Sequence, residues 1–582
     1  MLSFLMHAQT VVPPGPVEGN WDAGGSPYQI TGDISIADGS ALEIGPGVDV
    51  VFQDTYKLDV LGTLNANGTA GSPVTFTAQD TLNGWSSIRF SDNAAGFNQP
   101  SSFTHTNFLY GKAIWGSSGQ DPLNYGGAVW ADNAGILTFT DCVFSRCKAT
   151  YDGGAIYANN NTTVVMSGCS VKNCDTAFFG GVFVEAGTAQ ITGCAFDANV
   201  SGAFASCLYV YECGLIEVTS CSFTDNSAAA IGAIYSYDST LEIRNSLFSG
   251  NATTTGLGGG LGIIDSSLSI INCTFYANYS PQGGAAAWFN ILPQPAQITN
   301  CVFWENDPEA LYATSSTYNL AYCSMQSQEG DATNIFGDPL FTDPLEGDLT
   351  LSGSSPCIDA GTPDTQDLDL PDDDLCGLPR IVDGDGDSLA RIDIGCYEWQ
   401  PPDPYGVISG YVRTSQNQPI EDATITVLDS TAHSDATGLY ELELAPGTYD
   451  VTCSRTGYVT YTETGVVVEP GQTTTLDFYL DIVDVSDDIM APNAASLEIH
   501  PNPFGNSALI AYQISKGADT TLAVYNLRGQ KIKTLSSGFA MAGENHSHWD
   551  GKDENGTPVE SGLYLLKLRC GSQTITRKLI KF

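Results

Sequence analysis

The chain has 582 residues, 62 of them Gly, yet 42% are hydrophobic, which fits turn-rich β structure with a large core better than disorder. Its formal charge of −45, from 66 acidic and 21 basic residues, argues against nucleic acid and anionic membrane surfaces, which need a positive footprint, and makes anionic polysaccharides awkward partners unless cations bridge. No run of about 18 apolar residues occurs, so no transmembrane helix is predicted.

The first residues, MLSFLMHAQT, read as the last part of a signal peptide: a short apolar stretch, then His7-Ala8 before Gln9, without a basic n-region. Residues 1–8 are assigned to a signal remnant behind a start codon placed too late, with the mature chain beginning near Gln9. Residues 30–78 alternate apolar with polar, as an atypical terminal set of coils should. From Gly126 to Asn306 the chain repeats about every 25 to 27 residues, each copy reading roughly Gly-Gly-Ala, a hydrophobic strand, then Cys-x-Phe-x-x-Asn. Strands that return at this period must lie parallel, roughly 4.8 Å apart, so residues 9–335 are predicted to form a parallel β-helix. The Gly-Gly pairs are expected where the backbone turns through conformations a Cβ would oppose, and the Asn column is expected to take left-handed geometry for the same end.

Cys142, Cys169, Cys194, Cys221, Cys273 and Cys301 share one register position, with Ser246 in the remaining slot, so most of the 16 cysteines should stack as free thiols. Pairing stays open for Cys147 with Cys174, Cys207 with Cys213, and among Cys357, Cys376 and Cys396.

The phrases LEIGPGVDVVF, LDVLGTLNANGTAGSPVTFT and GWSSIRF, with the repeated coils, resemble bacterial right-handed parallel β-helix proteins. The stretch FGDPLFTDPLEGDLTLSGSSPCIDAG followed by DIGCYE resembles the module that closes such helices in exported proteins, giving a module with an acidic loop at 336–400. Residues 406–481 carry short alternating strands with Pro and Gly turns. They resemble the carboxypeptidase regulatory-like domain, a prealbumin-like accessory sandwich whose resemblance imports no peptidase activity. A Pro, Asp and Ser linker spans 482–495. In 496–582, Pro501-Asn502-Pro503, the strand Leu522–Leu527 with Arg528-Gly529, Trp549-Asp550-Gly551, Ser561 to Tyr564 and the basic end Arg577 to Lys581 resemble the type A sorting domain of the type IX secretion system, related to flagellar-hook-capping Ig-like modules. That segment has ten basic and seven acidic residues against a whole-chain charge of −45, so the resemblance implies an address attached to an acidic cargo. The expected fold is all-β: a right-handed parallel β-helix followed by two small β-sandwich domains.

Three groups of residues could carry chemistry. Asp132, Asn159, Glu185, Glu212, Asp238 and Asp265 lie 26 or 27 apart, so stacking predicts one acidic column. Carboxylates about 5 Å apart in adjacent coils and about 10 Å apart in alternate coils would bracket the separations of retaining and inverting glycosidases, or could collect Ca2+. Glu185, Glu212, Asp238 and Asp265 are therefore the catalytic candidates, and the plain alternative is a solvated turn edge. Trp130, Tyr157, Tyr209, Tyr235 and Trp288 form an aromatic row, which facing outward would be a sugar-stacking platform and facing inward a core ladder. Asp383, Asp385 and Asp387 alternate with Gly and could hold Ca2+ with Asp393; Ser388 stands where an EF-hand loop has Gly, and no closing Glu follows. A lyase would need a basic residue beside bound Ca2+, and Lys57, Lys112, Lys148, Lys172, Arg89, Arg146 and Arg244 are not grouped with several acids. The six histidines form no triad, and no Gly-x-Ser-x-Gly, zinc spacing or phosphate loop occurs. The sequence thus leads to a monomeric secreted or outer-membrane surface protein of a Gram-negative bacterium that binds polysaccharide or another surface ligand, handled by the type IX machinery. A polysaccharide lyase or glycoside hydrolase is the alternative.

Overall fold

A computed structural model describes residues 9–91, 100–114, 122–327, 330–366, 368–401, 405–482, 496–571 and 573–582. The signal remnant and residues 483–495 of the linker lie outside the described residues. The described chain is all-β apart from one 3-10 turn, Pro122–Asn124, and divides into two compact units, Met1–Pro401 and Pro402–Phe582.

In the first unit, successive strands are dealt in rotation to three long sheets, joined in the middle coils by a fourth sheet of six two-residue strands from Lys112–Ala113 to Ala252–Thr253, and every neighbouring pair in the long sheets is parallel and in register. That is a parallel β-helix. Alternation supplies the core: in Thr188–Thr192 the side chains of Ala189 and Ile191 are buried while Thr188, Gln190 and Thr192 are exposed. The Phe of each Cys-x-Phe stacks on its counterpart in the next coil, with centroids 4.8 Å apart for Phe196 and Phe223, 4.7 Å for Phe223 and Phe248, and 4.7 Å for Phe248 and Phe275. Each such pair contributes roughly 0.5–1.5 kcal/mol beyond the area it buries.

The Asn column works differently from its sequence expectation. Asn199, Asn226, Asn251 and Asn278 are buried, and the left-handed residue is the one before each: Ala198, Asp225, Gly250 and Ala277. Each Asn side chain instead bonds between coils. Asn226 Nδ2 donates to Phe196 O at 2.9 Å, and Asn226 Oδ1 accepts from Asn199 N at 2.9 Å. The carboxamide thereby satisfies main-chain groups that the sharp turn leaves without ladder partners. The thiol column does the same more weakly, since Cys194 Sγ accepts from Cys169 N at 3.3 Å and Ser246 Oγ accepts from Cys221 N at 3.1 Å. All sixteen cysteines are free, so none of the pairings left open forms. Register explains this for Cys147 and Cys174, whose thiols point the same way and donate to Phe108 O and Phe144 O.

The Gly-Gly pairs divide their work. Gly153 takes φ of 67°, while a Cβ on its neighbour Gly154 would lie 3.0 Å from Asp175 O in the next coil. At Gly232 the approach is closer still, 1.6 Å from Gly259 O.

Residues 336–400 fold back along the helix. The hairpin Phe341–Asp343 with Asp348–Leu351 packs with Cys357, Ile394 and Cys396 against Leu247, Tyr276 and Val302. Asn272 Nδ2 donates to Asp393 O and Gly395 O, each at 3.0 Å, and Asn300 Oδ1 accepts from Thr362 N at 2.8 Å. Arg380 is buried against Glu398 at 3.7 Å and donates to Asn245 Oδ1.

In the second unit, Gly406–Thr414 pairs with Leu439–Leu444, Thr473–Thr475 and Phe478–Leu480, while Thr424–Val427, Ser430–His433, Gly447–Ser454 and Tyr461–Val468 make the facing sheet. Ile408, Val412, Tyr440 and Val451 fill the space between. Further on, Leu497–His500, Ala508–Ile514 and Gly543–Trp549 face a sheet of Lys531–Ala540, Ala518–Tyr525, Gly562–Cys570 and Gln573–Lys581, with Trp549 at the centre of the core.

Candidate functional site

The strands Val129–Asp132, Ile156–Asn159, Val182–Glu185, Leu208–Tyr211 and Ile234–Tyr237 stack in register. Their first and third residues enter the lumen core, so the second residues point away from it. This places Trp130, Tyr157, Phe183, Tyr209 and Tyr235 in one outward ladder, joined beyond a gap at Gly262 by Trp288 and Tyr312. Centroids are 5.0 Å apart for Tyr157 and Phe183, 4.9 Å for Phe183 and Tyr209, and 4.8 Å for Tyr209 and Tyr235.

The ladder is neither an open platform nor a lumen core. Phe179, Phe204 and Ile231, from the loops that follow the two-residue strands Asp175–Thr176, Val200–Ser201 and Ser227–Ala228, lie over it, and Tyr157, Tyr209, Tyr235 and Trp288 are only 8–9% exposed. Trp130 is half-buried with the Arg89 guanidinium 4.5 Å from its ring centroid. Phe183 adds a member to the row expected from sequence, and its spacing of 26 from both Tyr157 and Tyr209 is the signal that marks it.

The single acidic column is corrected by register. Asp132 pairs with Asn159, but Glu185 pairs with Tyr211, and Tyr211 with Tyr237. Glu212, Asp238 and Asp265 sit one residue later, in left-handed turn positions with φ of 51°, 47° and 47°. The spacing of 27 from Glu185 to Glu212 hides a coil of 26, so the acids stand in two rows. Asp238 and Asp265 are exposed at the turn; Glu185, at a strand end, is half-buried.

Tyr211 and Tyr237 take the strand-end positions that an acidic column would have filled. Their rings stack at 5.3 Å and 13°, both half-buried at the edge. The Glu212 carboxylate beside Tyr211 raises that phenol by accepting its hydrogen bond. A shallow groove next to them is lined by Asn161, Thr163, Thr188, Glu212 and Gly214.

Behind this edge lies a polar group that sequence reading did not single out. Asp152 occupies the cover position that holds Phe179, Phe204 and Ile231 in the next coils. It is 9% exposed, and its Oδ1 has no hydrogen-bond partner among the described residues. Burial, then the Glu185 charge, pushes its carboxyl up to about 7. Tyr157 donates its hydroxyl to Glu185 Oε2 at 3.2 Å and accepts from Asn159 Nδ2 at 3.3 Å, while the Tyr125 ring packs 5.0 Å from that of Tyr157. Burial raises Glu185, with the charges of Glu212 and Asp132 adding to it and the Tyr157 hydrogen bond opposing it. The alignment of Asp152 with Phe179 was a signal available only after the loop register was known.

The acidic loop does not assemble the set expected from sequence. Carboxylate oxygens of Asp383 and Asp385 converge within 4.8 Å on Asp359, not on Asp387 or Asp393. Asp387 is paired with Arg391 at 3.2 Å. Asp393 is buried, with Oδ1 accepting from Asp359 N at 2.7 Å and Oδ2 from Trp399 N at 2.6 Å. Burial, with the Glu398 charge behind it, lifts Asp393 to about 8. Three of the basic residues of the helix are paired with carboxylates: Lys57 with Asp59 at 2.6 Å, Lys148 with Asp175 at 2.5 Å, and Arg244 with Glu242 at 2.7 Å.

A model of the right-handed β-helix region matches residues 180–338, which gives the helix its hand, and a model of the carboxypeptidase regulatory-like domain matches 407–481. The model that matches the C-terminal segment, over 502–573, is the FlgD Ig-like domain. No curated protein matches the chain. Among solved structures, a type II cohesin–X-dockerin complex from Acetivibrio cellulolyticus aligns at 23% identity over 13% of this chain and 58% of that one, with a TM-score of 0.12. The dimeric latent PorU of Porphyromonas gingivalis aligns at 16% identity over 31% of this chain and 18% of that one, TM-score 0.14. A DUF3823 family protein of Parabacteroides merdae aligns at 13% identity over 31% of this chain and all of its own, TM-score 0.13. The chain spans less than two thirds of the first of these, and at such scores none bears on function.

Proposed function

We propose that this is an exported β-helix protein that binds polysaccharide along the strand-end edge of Glu185, Tyr211 and Tyr237. One observation carries the reading: the parallel Tyr211 and Tyr237 rings stand half-open beside the carboxylates of Glu185 and Glu212. Aromatic faces stack on the apolar faces of sugar rings, and carboxylates accept sugar hydroxyls. Two rings about one coil apart present a repeat that a chain of sugars can follow. The covered ladder of Trp130, Tyr157, Tyr209, Tyr235 and Trp288 supports this edge from behind instead of touching ligand. The test is retention of the full chain on a panel of immobilised polysaccharides, with Ca2+ and with chelator. Tyr211→Ala with Tyr237→Ala should lower retention at least tenfold while the chain keeps its β circular dichroism and a cooperative melt, and unchanged retention would sink the edge assignment.

A glycoside hydrolase is a second reading, favoured by the proton that Asp152 holds near neutral pH beside Glu185. Asp152 would be the general acid and Glu185 the base or nucleophile. Released sugar that disappears in Asp152→Asn and in Glu185→Gln, but persists in Asp238→Asn with Asp265→Asn, is the expected outcome for an enzyme. A lyase is disfavoured by the pairing of Lys57, Lys148 and Arg244 with carboxylates.

The sandwich at 496–582 serves as the address read by the type IX machinery, which places the cargo outside the cell or on the outer-membrane surface. Deleting 496–582 should leave the chain in the periplasm, as fractionation would show. For Ca2+, the three carboxylates of Asp359, Asp383 and Asp385 fit a hard cation in part, since Asp359 Oδ2 already accepts from Gly384 N and Asp385 N. Bound there, Ca2+ would fasten the acidic loop; a rise in melting temperature on adding Ca2+ that Asp383→Asn abolishes would support it.

A further inference from the structure

In the four-stranded sheet of the C-terminal sandwich, alternation along Gly562–Cys570 buries Leu566 and Leu568 and turns Leu565, Lys567 and Arg569 to the other face. Register places Lys567 opposite Ala523 and Thr576, and Leu565 opposite Tyr525 and Lys578. Tyr525 in turn lies opposite Lys531. Lys531, Lys567, Arg569 and Lys578 therefore share one face that crosses all four strands, with the Lys567 ammonium 5.1 Å from the Tyr525 ring centroid. By strand parity Asp519 stands on the same face, two residues beyond Thr521, at its corner past Arg569.

We propose that this face docks the acidic surface of a partner protein. The argument is charge complementarity: four cations are gathered on one face of a segment with a surplus of basic residues, in a chain whose net charge is −45. Lysines on an edge strand guard against strand addition, which accounts for Lys531 and Lys578 but not for Lys567 and Arg569, whose strand lies between two others. A protein is favoured over a lipid surface by the range of the field. Screening reduces the contact to about 8 Å at physiological salt, so a discrete acidic patch can answer four cations on one sheet face, while an extended anionic bilayer gains little from so small a patch on a chain with a net charge of −45. The inference deepens the address reading by naming the face and the charge of what reads it; it rests on that reading only for the partner's role.

The test passes the full chain over immobilised poly-L-glutamate and, separately, over phosphatidylglycerol vesicles, at about 50 and about 300 mM salt. Wild type should be retained on poly-L-glutamate at low salt, and Lys531→Glu, Lys567→Glu and Lys578→Glu combined should weaken retention at least tenfold. Lys552→Glu, which leaves the face intact, should not. If the triple reversal fails to fold, the Lys531→Gln, Lys567→Gln, Lys578→Gln chain replaces it, with a smaller loss expected. Absence of wild-type retention, equal retention by the triple variant, or capture by vesicles in place of poly-L-glutamate would overturn the proposal. The address reading is judged separately, by export of the chain lacking 496–582, so either can fail alone.

Discussion

At the scale of single residues, Asp152 is the position where this helix departs from its own rule. Three neighbouring coils cover the outward aromatic ladder with Phe179, Phe204 and Ile231; the fourth uses a carboxyl with an unpartnered oxygen. Burial favours its neutral form, so the folded state keeps a proton that the unfolded chain releases near 3.8. The contribution of Asp152 to folding stability is therefore full below about pH 4, falls as pH rises toward 7, and is flat above; its loss is at most about 4 kcal/mol. Asp152→Asn should melt like wild type at pH 4 and higher than wild type at pH 8, and equal melting at pH 8 would remove the buried proton. Asn251 makes the opposite kind of contribution. Its Oδ1 accepts from Asn226 N at 3.2 Å and its Nδ2 donates to Phe223 O at 2.8 Å. Asn251→Ala strands both main-chain groups in the core and should cost roughly 2–4 kcal/mol, read as a lower denaturant midpoint.

Among the elements, coil spacing is set by backbone contact as much as by core side chains. The hypothetical Cβ at Gly232 lies 1.6 Å from Gly259 O, a main-chain atom held by its own coil, so Gly232→Ala must push two coils apart. Expected is a destabilisation on the order of 3 kcal/mol and new protease cleavage near residues 230–260. Gly262 shows a softer constraint. A Cβ there would meet the Ile231 side chain at 2.5 Å, the residue that fills the gap in the ladder between Tyr235 and Trp288. Because each coil contacts only its neighbours, such a break stays local, and limited proteolysis distinguishes it from global unfolding.

For the whole molecule, the sixteen free thiols give a direct check on packing. Cys376 is exposed and Cys570 intermediate, while the other fourteen are buried. A thiol reagent should find one fast site, one slower site and the remainder only on denaturation; electrophoretic mobility should not change on reduction. Fast reaction of the Cys142 to Cys323 column would contradict the stacked core. The two compact units have separate hydrophobic clusters, so calorimetry should resolve more than one transition.

The β-helix is legible in the sequence, because the period of Cys-x-Phe-x-x-Asn records which side chains stack in the lumen, and that stacking is what the strand period of two imposes. The sequence also showed the aromatic row and the acidic turns as sets, since members of a column lie one coil apart. What it could not resolve was a displacement of one residue: coils of 26 and 27 residues both occur, so Glu185 and Glu212 look like one column until the hydrogen-bond register pairs Glu185 with Tyr211. Three things follow from the tertiary fold alone: Phe179, Phe204 and Ile231 roof the aromatic row, Asp152 takes the adjoining place in that roof near Glu185, and Asp359 meets Asp383 and Asp385. In each case the partners come from loops of different coils or from outside the repeat. Their meeting depends on how those loops fold over the sheet, which no local spacing encodes.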